Sequence, residues 1–425
     1  MHVIQAPLSM DSVAGGWVDC VFLIALKGIS MAQSRKYSLT LFGATGFTGG
    51  LCADYLGQHL PKGTSWALAG RNPAKLEAVR ARLQAAGVAS LPGLIEADVD
   101  DQASLNAMAE QSKVVITTVG PYVFYGEGVV RACADHGTHY CDLTGEPEFV
   151  CNTLTRYHDS AKKTGAAIVS CCGFDSIPHD AGALFTVRAL AKKLGGQING
   201  QVTMEGVVTA SGTFSGGTWQ SAVTAFGRPT ENRYAMKHAQ MALNHQYPKS
   251  ARILPMRPKK DAELGGWLAP MPTIDPFMVV RSARAVDGYG PDFRYGHFIA
   301  AKSLPMMLGG MVGIGGLVLA AQIKPIRNKL LEYRQSGDGP PKEKRDRSWF
   351  KVLFRAKSGG EQVMCEVAGG DPGYDETAKM LAETAMCLAL DSSQPKRAGV
   401  LTPVMACEDR LIERLQAAGM TFREL

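Results

Sequence analysis

The stretch SLTLFGATGFTG, Ser38 to Gly49, carries a run of β-forming residues straight into a loop with glycine at every third position. A strand over 38–42, a tight turn and a helix over 47–60 are the expected local structure. Gly43 permits the turn, Gly46 lets the backbone approach a pyrophosphate closely, and Gly49 lets the helix pack on the strand. The free N–H groups and positive end of that helix then face the anion. Gly43, Ala44, Thr45, Gly46, Phe47, Thr48 and Gly49 are therefore the candidate dinucleotide-binding loop.

A glycine triplet alone is weak, so its surroundings matter. Further strands are expected at 65–69, 94–97, 114–118, 138–142 and 167–170. Helical stretches separate them, around 73–86, 102–109, 128–136 and 147–163. Asn72-Pro73 supplies an N-cap followed by proline at the first helical position. Strands joined by helices imply an α/β fold, a doubly wound parallel Rossmann sheet whose ligand crevice lies at the carboxyl ends of the strands.

An NAD site usually has an acid on the ribose hydroxyls at the end of the second strand. This chain has Ala69-Gly70-Arg71-Asn72 there, with no acid between Asp54 and Glu77. Arg71 can instead pair with a 2′-phosphate, a charge-assisted contact worth roughly 1.5 to 3 kcal/mol. NADP(H) is the expected cofactor. The alternative leaves Arg71 as an exposed residue at the start of a helix. Asn72 and Lys75 are candidates for further phosphate contacts, Asp98 for the adenine side, and Gly120 and Pro121 for the nicotinamide side.

The composition bounds the rest. With 425 residues, 46% hydrophobic and 20% charged, the chain is globular and long enough for two or three cores. A net charge of +6 is too small and scattered for a nucleic-acid footprint. The ten cysteines show no C-x-x-C spacing and read as buried thiols of a reducing compartment.

After about residue 194 the rhythm changes to Gly-rich and strand-rich sequence. Residues 350–356 and 362–367 flank Ser358-Gly359-Gly360 as a hairpin, 336–344 read as a solvated loop, and 375–390 and 408–418 as late helices. The expected organisation is an N-terminal extension, 1–34, outside the fold, and an NADP-binding Rossmann domain, 35–190. An α+β substrate and dimer domain, 191–400, follows, and then a C-terminal helical segment, 401–425. Residues 303–323, SLPMMLGGMVGIGGLVLAAQI, carry no charge. They are long enough to cross a bilayer, yet two other readings fit better: a buried helix pair, or a monotopic patch with Lys324, Arg327, Lys329, Arg334 and the later Lys342 to Arg347 facing anionic lipid.

Several segments add up to a family. GATGFTG with AGRNPAKL, then residues 117–146, TTVGPYVFYGEGVVRACADHGTHYCDLTGE, and 171–182, CCGFDSIPHDAG, resemble the saccharopine dehydrogenase-like oxidoreductases. SGGTWQSA at 215–222, RSARAVDGYGPDFRYGHF at 281–298, and the segments at 368–390 and 398–422 are similar to the trans-acting enoyl reductase branch. The resemblance covers most of the chain after Met31. It implies an NADP-binding Rossmann domain, a second domain, and reduction of an enoyl group on a carrier-bound acyl chain during assembly of complex lipids or glycolipids. Two other functions stay open: a non-catalytic NADP-binding protein of a lipid surface or redox sensor, and a saccharopine-type amino-acid dehydrogenase. The expected partner is an acyl or lipid substrate, carrier-bound in the leading reading, with no nucleic acid. The expected location is cytoplasmic with peripheral contact at the inner face of the plasma membrane, and a homodimer is compatible with this reading.

Enoyl reduction needs a hydride on the β-carbon, polarisation of the thioester carbonyl and a proton on the α-carbon. Tyr122 is the candidate catalytic donor; alternatively Tyr122 and Tyr125 pack as walls under the nicotinamide. Tyr125, Asp142, Glu146, Asp175 and Ser176 follow strand ends on the crevice side and are candidate substrate contacts, although Asp175 and Ser176 could equally cap the helix that begins near Pro178. His136 and His139 read as surface residues, and no metal site is expected. No tyrosine has a lysine four positions later, and there is no G-x-S-x-G, P-loop or H-E-x-x-H, so hydrolase and ATPase readings drop out.

Overall fold

The computed structural model describes residues 35–212, 216–247, 249–333, 339–393 and 396–425. The extension at 1–34 lies outside the described residues, as does the loop core at 334–338.

The first half of the chain alternates as its pattern requires. β1 (Tyr37–Phe42), α1 (Phe47–His59), β2 (Trp66–Gly70), α2 (Pro73–Ala85), β3 (Gly93–Glu96), α3 (Gln102–Gln111) and β4 (Ser112–Thr117) are followed by α4 (Tyr122–Tyr125), α5 (Glu127–His136), β5 (His139–Asp142), α6 (Pro147–Thr164), β6 (Ala167–Val169) and α7 (Ile177–Lys193). Strands covered by helices on both faces read as apolar runs, and in β1 only Ser38 is less than buried. α2 begins as expected: the Asn72 side chain accepts from Lys75 N at 3.0 Å, with Pro73 next. α6 ends at Gly165 with φ +85°, a left-handed cap that L side chains disfavour.

A second sheet is built from β7 (Gln201–Ser211), β8 (Ser250–Ile253), β9 (Lys259–Asp261), β10 (Gly266–Pro270), β11 (Asp292–Ala301), β12 (Trp349–Ser358), β13 (Glu361–Gly369) and β15 (Thr421–Glu424). The helices among them are α8 (Gly216–Phe226), α9 (Pro229–Gln246), α10 (Asp275–Ala285), α11 (Leu304–Gln322), α12 (Lys324–Tyr333), the short α13 (Lys342–Arg345), α14 (Asp375–Leu390) and α15 (Pro403–Ala417). The expected hairpin is present as β12 and β13, paired from Ser358 opposite Glu361.

Sheet membership does not follow the expected divisions at 190 and 400. The first sheet is parallel with order β14-β6-β5-β4-β1-β2-β3, and its outer strand β14 (Gly399–Leu401) pairs with β6 after the chain has completed most of the second sheet. The closing segment is likewise no separate helical unit, because β15 pairs with β13. Buried apolar surface explains both returns. α14 lies back on the first sheet, where Tyr55 donates to Glu383 at 2.7 Å, and α7 runs from the end of β6 onto the second sheet so closely that a Cβ on Gly182 would stand 2.4 Å from the Phe354 ring. One apolar core cluster contains residues of both sheets, from Leu39 to Phe354.

The apolar run forms a single helix, α11, instead of a buried pair. Only Met307 and Ala321 of its residues are buried. The nine described cysteines are free and buried, as expected of reduced thiols.

Candidate functional site

The strand order reverses between β1 and β4, and in a doubly wound sheet the ligand crevice opens at that point. The glycine loop lies on one side of it. Gly43 has φ +91°, and a Cβ there would stand 2.7 Å from Thr118 Oγ1, so only glycine fits. A Cβ on Gly49 would lie 2.1 Å from Gly43 O, which forces the close helix–strand approach. Gly46 differs: its Cβ would meet nothing nearer than 3.5 Å. Protein packing does not demand glycine at 46, whereas close approach of a diphosphate to the N-terminus of α1 does. Ala44, Thr45, Phe47 and Thr48 complete this turn. The Phe47 ring meets Tyr374 edge-on at 5.0 Å, and the Arg345 guanidinium lies 5.3 Å from its centre. Arg345 thus stands over the glycine loop, held by Asp375 at 2.9 Å; sequence spacing alone gives no signal for it.

Arg71 follows β2 directly and is exposed, with no ion pair or hydrogen bond among the described residues. Lys75 is exposed beside it. Asn72 Oδ1 accepts from Lys75 N as the α2 cap, which turns its side chain toward the helix start; only its NH2 could donate to a phosphate. Asp98 is half-buried after β3, its Oδ1 accepting from Asp100 N at 3.2 Å.

The loops after β4, β5 and β6 close the other side. Gly120 and Pro121 lead into α4. The Tyr122 side chain turns inward: its ring is 3% exposed, and its hydroxyl donates to Thr117 O at 3.1 Å. Burial, with the charge of Asp142, holds that hydroxyl well above its ordinary pKa. Tyr122 is therefore a packing residue and not the proton donor, because its one proton is spent on the strand. Tyr125 is 43% exposed and open to a ligand.

Asp142 and Glu146, expected as substrate contacts, are instead the ties that shape these loops. Buried Asp142 accepts from Thr144 N and Cys171 N at 3.0 Å each and from Ser170 Oγ at 2.9 Å, joining the ends of β5 and β6. Burial pushes its carboxyl up to about 6 against those bonds. Glu146 accepts from Tyr122 N at 2.9 Å, Val123 N at 2.7 Å and Ser221 Oγ at 2.6 Å, so both oxygens are occupied. Burial raises its pKa, opposed first by the Ser221 bond.

Asp175 and Ser176 begin the turn after β6. Ser176 does not cap α7 with its side chain; it reaches Asp275 Oδ1 at 3.4 Å. Asp175 is half-buried, and its carboxyl lies so near Gly145 that a Cβ there would be 3.0 Å from Oδ2. Burial, with the neighbouring charge of Asp275 adding, pushes this carboxyl up to about 7.

Beneath them the fold assembles a group that no local spacing announces: His179 of α7, Asp275 at the start of α10 and His297 of β11, all buried, with donor atoms within 4.8 Å of one another. Asp275 Oδ1 is 3.8 Å from His179 Nε2 and its Oδ2 is 3.5 Å from His297 Nε2. Tyr295 Oη lies 3.2 Å from His297 Nδ1. Burial pushes both imidazoles down to about 3, so they are neutral at physiological pH. The group joins the crevice end of the first sheet to the second.

A glycine-turned crossover that opens a helix at the point where the strand order reverses defines a Rossmann-type dinucleotide-binding domain. Residues 39–169 match the saccharopine dehydrogenase NADP binding domain. The chain is 33% identical over 420 residues to a trans-acting enoyl reductase of Mycobacterium ulcerans, covering 92% of this chain and 98% of that one. It is 30% identical to a saccharopine dehydrogenase-like oxidoreductase of Bos taurus, covering 92% and 97%. Among solved structures, the apo histidine-tagged saccharopine dehydrogenase (L-Glu forming) of Saccharomyces cerevisiae superposes with a TM-score of 0.52 at 12% identity, covering 91% of this chain and 99% of that one, which shows the shared fold. The chain belongs to the saccharopine dehydrogenase-like oxidoreductases, in the trans-acting enoyl reductase branch, and its cofactor is NADP(H).

Proposed function

We propose that this protein reduces the α,β-double bond of carrier-bound acyl chains with NADPH, in the assembly of complex lipids or glycolipids. The observation that carries this reading is likeness to trans-acting enoyl reductases along 92% of the chain, both sheets included, and not only the cofactor domain.

When bound, the cofactor supplies a hydride for the β-carbon. The glycine loop and the α1 terminus would hold the diphosphate, and Arg71, with Lys75 and the Asn72 amide beside it, would hold the 2′-phosphate. Gly120 and Pro121 would border the nicotinamide, and Tyr125 would offer an apolar face to the acyl chain. The remaining need is a proton for the α-carbon. Asp175 fits it: a half-buried carboxyl at the crevice, kept partly protonated near neutral pH by burial and by Asp275. It delivers the proton as the hydride arrives, and solvent reprotonates it after the saturated product leaves.

Purified protein mixed with NADPH and an enoyl thioester tests the reading through cofactor absorbance. Oxidation of NADPH with formation of the saturated thioester is the expected result. Tight NADPH binding without turnover would assign a sensing or adaptor role, and turnover only with a 2-oxo acid and an amine would assign saccharopine-type chemistry.

A further inference from the structure

α11 is the part of the molecule that the cofactor chemistry leaves unexplained. It has 19 residues without a charge, yet Val312 is 75% exposed, Leu319 67% and Met306 59%. A Cβ added to Gly309, Gly310, Gly313, Gly315 or Gly316 would meet nothing within 4 Å, so the face carrying these glycines packs against no described part of the protein. Continuous apolar surface on this scale is a binding surface in a folded protein.

We propose that α11 seats the protein flat on an anionic lipid bilayer, as an in-plane arm. At about 1.5 Å per residue the helix is long enough to cross a hydrocarbon core, but its anchorage argues against crossing. Met307 near its start and Ala321 near its end are both buried against the folded body. The chain then continues into α12, which is tied to α8: Trp219 donates to Leu330 O at 2.6 Å and Arg327 to Gly227 O at 3.2 Å. A helix held to the same body at both ends lies along the membrane.

Charge completes the fit. Lys302 and Lys324 are exposed just beyond the two ends of α11, and Lys329 is exposed on α12. Cations at both ends of an apolar helix meet headgroups on a single surface, and an anionic leaflet attracts them. The arm is also wired to the crevice. α8 carries Ser221, which donates to Glu146, and Glu146 holds the backbone of Tyr122 and Val123 after β4. On the reading proposed above, docking would therefore place the crevice beside the source of a lipid-type acyl substrate.

Flotation of the full chain with vesicles tests this without any substrate. The wild type is expected to float with vesicles of phosphatidylglycerol and phosphatidylcholine, and less with phosphatidylcholine alone. The double variant Val312→Glu, Leu319→Glu is expected to bind roughly tenfold more weakly or worse, with NADPH binding by fluorescence unchanged as proof of folding. Absence of wild-type flotation overturns the proposal, and so does equal flotation of the double variant. A dimer that the same substitutions split, with no flotation, would instead assign the helix to a second copy of the chain. Failure of the enoyl-thioester assay would not alter any of these readouts.

Discussion

Gly49 sits so close to Gly43 that a Cβ on the first would lie 2.1 Å from the carbonyl oxygen of the second, whereas a Cβ on Gly46, between them, would keep 3.5 Å from that same atom. Two glycines of the loop thus serve the fold and one is left to serve a ligand.

This contrast is directly measurable. Gly49→Ala is expected to lower stability by roughly 3 kcal/mol or more, because a backbone oxygen cannot move aside cheaply. Gly46→Ala should cost about 1 kcal/mol or less, yet weaken NADPH binding about tenfold by blocking close approach. Urea unfolding and calorimetric titration separate the two, and equal stability losses would contradict the assignment.

Arg71 stands exposed after β2, with no ion pair or hydrogen bond among the described residues. Arg71→Ala is expected to weaken NADPH binding about tenfold or more while leaving NADH nearly unchanged. Equal losses for both coenzymes would remove Arg71 from the 2′-phosphate.

On the proposed function Asp175 would act in its protonated form, and burial with the nearby charge of Asp275 pushes its carboxyl up to about 7. The rate of enoyl reduction should therefore fall as pH rises through about 7. Asp175→Asn is expected to slow turnover roughly 100-fold or more and to abolish that limb of the pH profile, with NADPH affinity retained. A variant with unchanged rate and profile would return the proton donor to another group.

His179 and His297 bear on acid stability with a definite sign. Their folded pKa values lie at about 3, below the unfolded value of about 6.5. Stability is then full above pH 6.5 and is lost as pH falls toward 3, by roughly 1 kcal/mol per pH unit for each imidazole. His297→Gln should flatten the fall in melting temperature between about pH 6 and pH 4. An unchanged slope would show that the ring takes up its proton without unfolding.

Much of the architecture is local and therefore legible in the sequence. The strands β1 to β6, the helices between them and the β12–β13 hairpin follow from apolar runs, caps and turn glycines. The carboxylates were harder to assign. Asp142 and Glu146 follow a strand end on the crevice side, as substrate ligands do, and only the backbone N–H groups that converge on them mark them as loop ties. Tyr122 follows Gly120-Pro121, expected on the nicotinamide side, but its buried ring turns its hydroxyl to Thr117 O of β4. His179, Asp275 and His297 meet only because α7 spans from one sheet to the other.

The sequence by itself determined the cofactor loop, the parallel sheet and the cationic residue after β2, since each depends on neighbours a few positions away. Tertiary structure alone decided that β14 returns to the first sheet, that the apolar run lies open instead of buried, and that Asp142 and Glu146 tie loops. Those outcomes depend on which surfaces pack against one another across hundreds of residues, and side-chain burial is a property of that packing and not of the local chain.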